Sequence, residues 1–576
     1  MRASATATFL VLLLTGATLS GCVSPGDTID AASLADASGR FPDATFDTTR
    51  AWSMPLKPGV YDKLPGVNVF VDSFDGTPIS MGLHFPAIDG CDWNATGEAP
   101  LADACRLPVV MDAGPYWAGH VDSEGFRPPL VDWLVPRGYV VAYMSIRGTG
   151  ESGGCMELFS EQEQKDVSEM VTWLATQPWS SGNVGMMGRS YDGTTPLMAA
   201  AMGNPHLKTI VPISSVADLG DLMFKNGTSE LRGSIFHSVV YWGNYGLGAG
   251  DGGAGPGGHR FDHTSEQACE DAAMGAVEGP KAAATGDTAG AYWTERELAS
   301  KVVQNYNGSI WIVHGMEDWN VNPSQVVPWF QDLQNAGLKT KMWLGVWGHA
   351  YPDRSDEHRN VRWDWAEWTV RWFDSELKGL DVDTGPAVEV EDSQFVWRAE
   401  ATYPPRDIMW QDMMFEGGNV IVAPNQPASS TSAPLETAVR IAGLTRLPLV
   451  VTPTSAAPTH LFAELFDVYP DGVTTRLGWG AINLHYAAGG NTDPQPPVPG
   501  MPLTALLEFE PMDALIAQGH RLRLNLHMDG VEDILPGPAS APATIDMAAS
   551  PLQLPTIERA GFLASYQAKT LGGESE

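Results

Sequence analysis

Short apolar runs recur along the chain with helix-period stretches between them. Leu107 to Met111, Tyr139 to Met144, Asn183 to Met187, Ile210 to Ile213 and Ser309 to Val313 are nearly continuous in hydrophobic residues. That is the pattern of strands buried on both faces. Ahead of them, Val67 to Val71 and Ile79 to Leu83 flank the turn Asp75-Gly76-Thr77-Pro78 and predict a hairpin. From Glu161 to Thr176, Val167, Met170, Val171 and Leu174 return at helical spacing. Strands alternating with helices predict a mostly parallel sheet covered on both faces. A helix over Val361 to Leu377, rich in Trp, closes this part. After 385 the period changes to two: Leu461 to Val468 and Arg521 to Leu526 alternate between Pro- and Gly-rich turns. This predicts an antiparallel β-sandwich over 385–576. Between 217 and 300 both periods fade, and Gly246 to Gly258 is dominated by Gly. That stretch reads as a cap inserted over the sheet. The α/β domain therefore takes 56–216 and 301–384.

Composition adds compartment and partners. The chain has 576 residues, 43% of them hydrophobic, enough apolar matter for more than one packed core. A net charge of -35 excludes nucleic acid and anionic lipid as natural partners. It reads first as a solvated surface, and second as a field that steers cationic substrates such as peptides with a free amino terminus. Arg2 followed by the apolar run Phe9 to Leu14 and by Leu19-Ser20-Gly21-Cys22 resembles a lipoprotein signal. Residues 1–22 are thus expected to be a signal peptide ending at a lipid-modified Cys22, with 23–55 a Ser-, Asp- and Thr-rich tether. The expected place is the cell envelope, outside the cytoplasmic membrane, with the membrane reached by the lipid alone. Export leaves Cys91, Cys105, Cys155 and Cys269 as disulfide candidates. Cys91 and Cys105 bracket one loop and are the simplest pair, which leaves Cys155 with Cys269. No Cys/His cluster suggests a metal.

The chemistry gathers at Gly188-Arg189-Ser190-Tyr191-Asp192-Gly193. It is a G-x-S-x-x-G sequence, one residue longer than the usual elbow, placed after a buried strand and before a helical run. Such a turn pushes the serine hydroxyl out above the sheet and aims the next backbone N–H at a developing oxyanion. A neutral hydroxyl needs a base, and the base an acid to orient it. Downstream, Ser309 to Val313 runs into His314-Gly315-Met316-Glu317-Asp318, which offers Asp318 as the acid with Glu317 as fallback. The strand Met342 to Val346 runs into Trp347-Gly348-His349, which offers His349 as the base, with His314 as its competitor. The backbone of Tyr191 is one oxyanion donor. Tyr116, in the loop after Leu107 to Met111, is a candidate for the second through its phenol. Asp192 is either a contact for a substrate amine or a residue that suits the start of a helix.

These residues together resemble a known family. Gly114-Pro115-Tyr116, Arg147-Gly148-Thr149-Gly150, Gly188 to Gly193, His314 to Val321 and Gly348-His349 are similar to the X-Pro dipeptidyl-peptidase and cocaine-esterase family of serine hydrolases. The resemblance implies an α/β-hydrolase domain, a helical cap and a C-terminal jelly roll. It implies Ser190, Asp318 and His349 as the triad, Tyr116 and Tyr191 at the oxyanion, and no cofactor. The expected reaction is acyl transfer to water through an acyl-enzyme. The expected substrate is a peptide cleaved after an X-Pro dipeptide or, alternatively, a small acyl or α-amino acid ester or amide. A reading from another class is a surface lipoprotein whose jelly roll binds a ligand while its hydrolase scaffold is inactive. The sequence is compatible with a homo-oligomer.

Overall fold

The structure is a computed structural model that describes residues 56, 58–96, 101–116, 129–154, 156–231, 270–354, 358 and 361–558. The signal peptide, Cys22, the whole of the tether, Cys155, Cys269 and the Gly246 to Gly258 run lie outside the described residues.

The first strands in chain order are β1 (Val67–Asp72), β2 (Pro78–His84), β3 (Leu107–Gly114), β4 (Val140–Ser145), β5 (Ser180–Arg189), β6 (Leu207–Ile213), β7 (Ser229–Glu230), β8 (Ser309–Gly315), β9 (Thr340–Gly345), β10 (Val388–Glu391) and β11 (Trp397–Glu400). All but β7 form one ten-stranded sheet in the order β1-β2-β4-β3-β5-β6-β8-β9-β10-β11. The pairings from β4 across to β10 are parallel, and the hairpin β1-β2 and the last strand β11 run antiparallel. Residues of β3, β4 and β8 are buried throughout, as their unbroken apolar runs require. The helix Glu161–Thr176 starts on Ser160, whose Oγ accepts from the Glu163 N–H. The chain adds strands on one side after β3 and on the other after β5. Loops leaving the carboxyl ends of β3 and β5 therefore open a crevice between them, where open α/β sheets bind ligands.

The abundant Trp lie mostly in the interior. Trp311, Trp343, Trp347, Trp365, Trp372 and Trp397 share one buried cluster on the sheet. Arg362, fully buried, stacks 3.7 Å from the Trp343 ring centre and 4.6 Å from that of Trp397.

The structure corrects one boundary. The expectation that the sandwich starts at 385 fails, because β10 pairs in parallel with β9 and carries β11 beside it. The alternation Val388-Glu389-Val390-Glu391 looks half-exposed, yet all four residues are buried. Glu389 ion-pairs with Lys341 and Arg362, and Glu391 accepts from the Val346 N–H. Paired charges let a strand with an alternating pattern sit inside the sheet.

Beyond Glu400, an eight-stranded and a four-stranded sheet pack into a sandwich around their own core, including Leu449, Leu465, Leu507 and Leu524. Burial alternates along Arg446–Pro453 and Arg521–His527, as strands with one inward face require. Of the cap, the segment up to Leu231 includes the short helix Leu219–Met223 and β7, which pairs with Ile534–Leu535 of the sandwich. The helix Glu270–Thr285 comes next among the described residues. Cys91 and Cys105 are joined by a disulfide.

Candidate active site

Ser190 stands between β5 and the helix Tyr191–Ala201 with φ 66° and ψ -122°. A side chain other than Gly resists that region, so the strain marks a nucleophile elbow. Two glycines permit the turn. A Cβ on Gly188 would meet the Asp192 carbonyl oxygen at 2.4 Å, and one on Gly193 the Ile213 carbonyl oxygen at 2.3 Å. The second contact explains why the glycine comes three residues after the serine here: that is where the helix crosses β6. The Ser190 N–H donates to Ile213 O at 2.9 Å, and the helix's first bond is Thr194 N–H to Ser190 O. The N–H groups of Tyr191, Asp192 and Gly193 therefore precede the helical ladder, at its positive end.

The loop after β8 carries Asp318, and the loop after β9 carries His349. Asp318 has no exposed surface, and its Oδ2 lies 2.8 Å from His349 Nδ1. Its Oδ1 accepts from the N–H groups of Asn320 and Val321 at 3.1 and 2.9 Å. Burial pushes this carboxyl up, but the imidazole of His349, its hydrogen bond and His314 outweigh burial and hold it below its ordinary range. His349 keeps 20% of its side chain exposed.

The two competitors are placed differently. His314 is fully buried, with Nε2 2.8 Å from Val321 O, and burial holds its imidazole below the ordinary value despite Asp318. The side chain of Glu317 is exposed.

Tyr116 follows β3, the neighbour of β5, and packs half-buried against the main core. Tyr191 is buried and donates its hydroxyl to Glu163 Oε2 at 2.6 Å. Burial first, and then Glu163, raise the Tyr191 phenol well above its ordinary value, with a smaller contribution from Tyr116 nearby. Asp192 is 7% exposed and lies under the β3 loop: a Cβ on Gly114 would meet its Oδ1 at 1.5 Å. It sits in the helix's first turn, where a carboxylate suits the positive end.

Beside Ser190 and Tyr191 is a small cavity walled by Leu158, Phe159, Val216, Leu219, Leu222 and Met223. A larger surface groove of about 530 Å³, between the helices Ala299–Asn305 and Val327–Asn335, shares no residue with it. Among the described residues no group of three or more His, Cys, Asp or Glu is placed to hold a metal ion.

Three supporting residues escaped the sequence reading. Glu163 accepts from the N–H groups of Glu157 and Phe159 as well as from Tyr191. Its signal was present, since Ser160-Glu161-Gln162-Glu163 is a capping-box sequence. Arg189 donates to His349 O at 3.1 Å and lies 4.8 Å from the centre of the Tyr351 ring, tying the elbow to the loop of His349. Glu510, from the sandwich, accepts from Ser324 in the loop of Asp318. No local pattern announces the last two.

The X-Pro dipeptidyl-peptidase (S15 family) profile matches residues 89–351, and the X-Pro dipeptidyl-peptidase C-terminal non-catalytic domain matches 415–554. A protein of Streptomyces avermitilis, provisionally named an Xaa-Pro dipeptidyl-peptidase, is 26% identical over 78% of this chain and 78% of its own. A protein of Mycobacterium bovis, provisionally named a serine esterase, is 22% identical over 88% of this chain and 98% of its own. The crystal structure of a CocE/NonD family hydrolase from Staphylococcus aureus superposes with a TM-score of 0.66 at 16% identity, covering 85% of this chain and 93% of that one. That last likeness speaks for the fold, an α/β-hydrolase domain followed by a strand-rich one. With both halves of the architecture matched in order, the chain is a serine hydrolase that is similar in both domains to the X-Pro dipeptidyl-peptidase (S15) family.

Proposed function

We propose that this hydrolase works from the cell envelope, held by lipid on Cys22, and cleaves peptides after an X-Pro dipeptide. Ser190 attacks the scissile carbonyl while His349 Nε2 takes the hydroxyl proton. Asp318 keeps the proton of the neutral ring on Nδ1 and stabilises the imidazolium that forms. The oxyanion is met by the Tyr191 N–H and the Tyr116 hydroxyl. His349 then gives its proton to the leaving amine, and an acyl-enzyme remains on Ser190. Water, deprotonated by His349, releases the acid.

The observation that carries this reading is the bond from His349 Nδ1 to a fully buried Asp318, on loops that leave the same end of the sheet as the strained Ser190 elbow. The apolar cavity beside Ser190 favours a compact ring such as prolyl over a charged side chain. A second reading, a small-ester hydrolase, draws on the esterase name of the Mycobacterium bovis relative.

Turnover of Gly-Pro-p-nitroanilide against p-nitrophenyl acyl esters separates the two. The peptidase reading expects the anilide to be cleaved and Ser190→Ala to abolish both cleavage and fluorophosphonate labelling. Fast ester turnover with no anilide cleavage overturns the substrate. Labelling that survives Ser190→Ala overturns the mechanism. In the same series Asp192→Asn examines the amine contact, which requires KM to rise for substrates with a free amino terminus and not for acyl esters.

A further inference from the structure

The triad's acid sits on a loop that the hydrolase domain holds only in part. Asp318 takes its orientation from that loop, through the N–H groups of Asn320 and Val321. The Val321 carbonyl is pinned from the sheet side by His314. On its other side the loop is gripped by the sandwich at two points that follow the acid in the chain, Trp319 and Ser324.

One grip is aromatic. Trp319, next to Asp318, lies 5.9 Å from Trp479 in an edge-on contact. It joins a cluster made of Phe462, Trp479, Ala481, Val531 and Ile534, all sandwich residues. The other grip is ionic. Glu510 has no exposed side-chain surface and takes the Ser324 N–H at 3.0 Å and the Ser324 hydroxyl at 3.2 Å. It ion-pairs with Lys225, whose ammonium also donates to Ser324 Oγ at 2.9 Å.

Lys225 belongs to the cap's first segment, just after Leu219, Leu222 and Met223, which wall the cavity at Ser190. The same segment is tied to the acid's loop by Gln325. Its Oε1 accepts from Ala217 and Asp218 N–H, and its Nε2 donates to Asp221. Acid loop and cavity wall are thus bound to each other and, through one buried carboxylate, to the sandwich.

We infer that Glu510 is a positioning residue for the hydrolase reaction: from the C-terminal domain it fixes both the loop that presents Asp318 and the wall of the acyl-side cavity. A buried carboxylate holding three donors has one low-energy arrangement, so the loop has few alternatives. The inference rests on the triad proposed above.

The test compares Glu510→Gln with Asp513→Asn. Asp513 forms an equally buried ion pair across the domains, with Arg398 of β11, and does not touch the acid's loop. Glu510→Gln keeps shape but removes the charge that Lys225 and Ser324 share. Expected for it are a fall in kcat of at least tenfold on an activated ester, a displaced acidic limb in the pH profile of kcat/KM, and a weaker dependence of KM on acyl size. Asp513→Asn is expected to lower the thermal midpoint and leave all three readouts unchanged. If Glu510→Gln loses stability only, with kcat within twofold and the pH profile in place, the positioning role is overturned. Should Glu510→Gln not fold, Ser324→Ala and Trp479→Phe are read by the same profile, and an unmoved profile in both overturns it equally. Labelling that persists in Ser190→Ala would instead strike the triad itself, so the two failures are distinguishable.

Discussion

Asp318→Asn isolates the group proposed to orient His349. The carboxylate is fully buried and makes three hydrogen bonds, two to its own loop and one to His349 Nδ1. Asn has the same shape, so its amide oxygen can still serve the Asn320 and Val321 N–H groups. Its NH2 then faces His349 Nδ1, which must accept. The ring proton moves to Nε2, the nitrogen that has to take the Ser190 proton. Loss of that tautomer costs kcat about 10⁴-fold in a comparable triad, or roughly 5.5 kcal/mol at about 1.36 kcal/mol per decade. Stability at neutral pH should fall by only about 1–3 kcal/mol, the scale of a weakened buried hydrogen bond. The pH sign follows from the carboxyl's lowered pKa. Its stabilisation is present above the unfolded value near 3.8 and disappears as pH falls through the folded one. The variant should lack that acid-side loss. Burst kinetics on a p-nitrophenyl ester, fluorophosphonate labelling rates and thermal unfolding would measure the three effects. A folded variant that keeps more than a tenth of wild-type kcat would refute the reasoning and move attention to Glu317.

Four further outcomes are expected. Tyr191→Phe takes one of three donors from the buried Glu163 and should cost about 1–3 kcal/mol of stability, while ester kcat stays within a few-fold because the oxyanion donor is backbone; a large kcat loss at unchanged stability would contradict it. Gly193→Ala places a Cβ 2.3 Å from Ile213 O and should abolish fluorophosphonate labelling, and an alanine variant labelled at the wild-type rate would contradict the tight crossing. Asp218 caps the helix Leu219–Met223, and burial, then its neighbour Asp221, push its carboxyl up to about 7. The native state therefore binds the proton more tightly than the unfolded chain, so this site loses stability as pH rises from about 4 to about 7. Asp218→Asn, still a competent cap, should flatten that decline in unfolding midpoints, and an unchanged slope would count against it. Breaking Cys91–Cys105, 14 residues apart, should cost about 3 kcal/mol, read as a lower midpoint in Cys91→Ser/Cys105→Ser and in reduced wild type. An indifferent midpoint would show that the loop is held by other contacts.

How far the sequence could be read follows from the range of the forces involved. The elbow and the loops of Asp318 and His349 were legible because each follows a continuous apolar run, and a buried parallel strand ends where its run ends. Chain order then singled out Asp318 and His349 as the candidates for acid and base. Glu163 was legible in principle through its local cap. β10 and β11 were misassigned because their glutamates imitate the alternation of a sandwich strand. Lys341 and Arg362 for Glu389, and the Val346 N–H for Glu391, all distant along the chain, make the β10 charges tolerable inside. Arg189 to His349 and Glu510 to Ser324 are likewise pairs with no local signature, 160 and 186 residues apart. A pattern read in windows of a dozen positions is blind to such partners.

The placement of β10 and β11 also governs how this molecule may be cut. A truncation at 385, where a domain break looks natural, would strip two strands from the sheet and bare the rim of β9 that β10 covers at Met342 to Leu344. Fragments ending there should self-associate through that raw margin. Anyone shortening the gene must retain the stretch through Glu400, and even then Arg398 would be left facing a vanished Asp513.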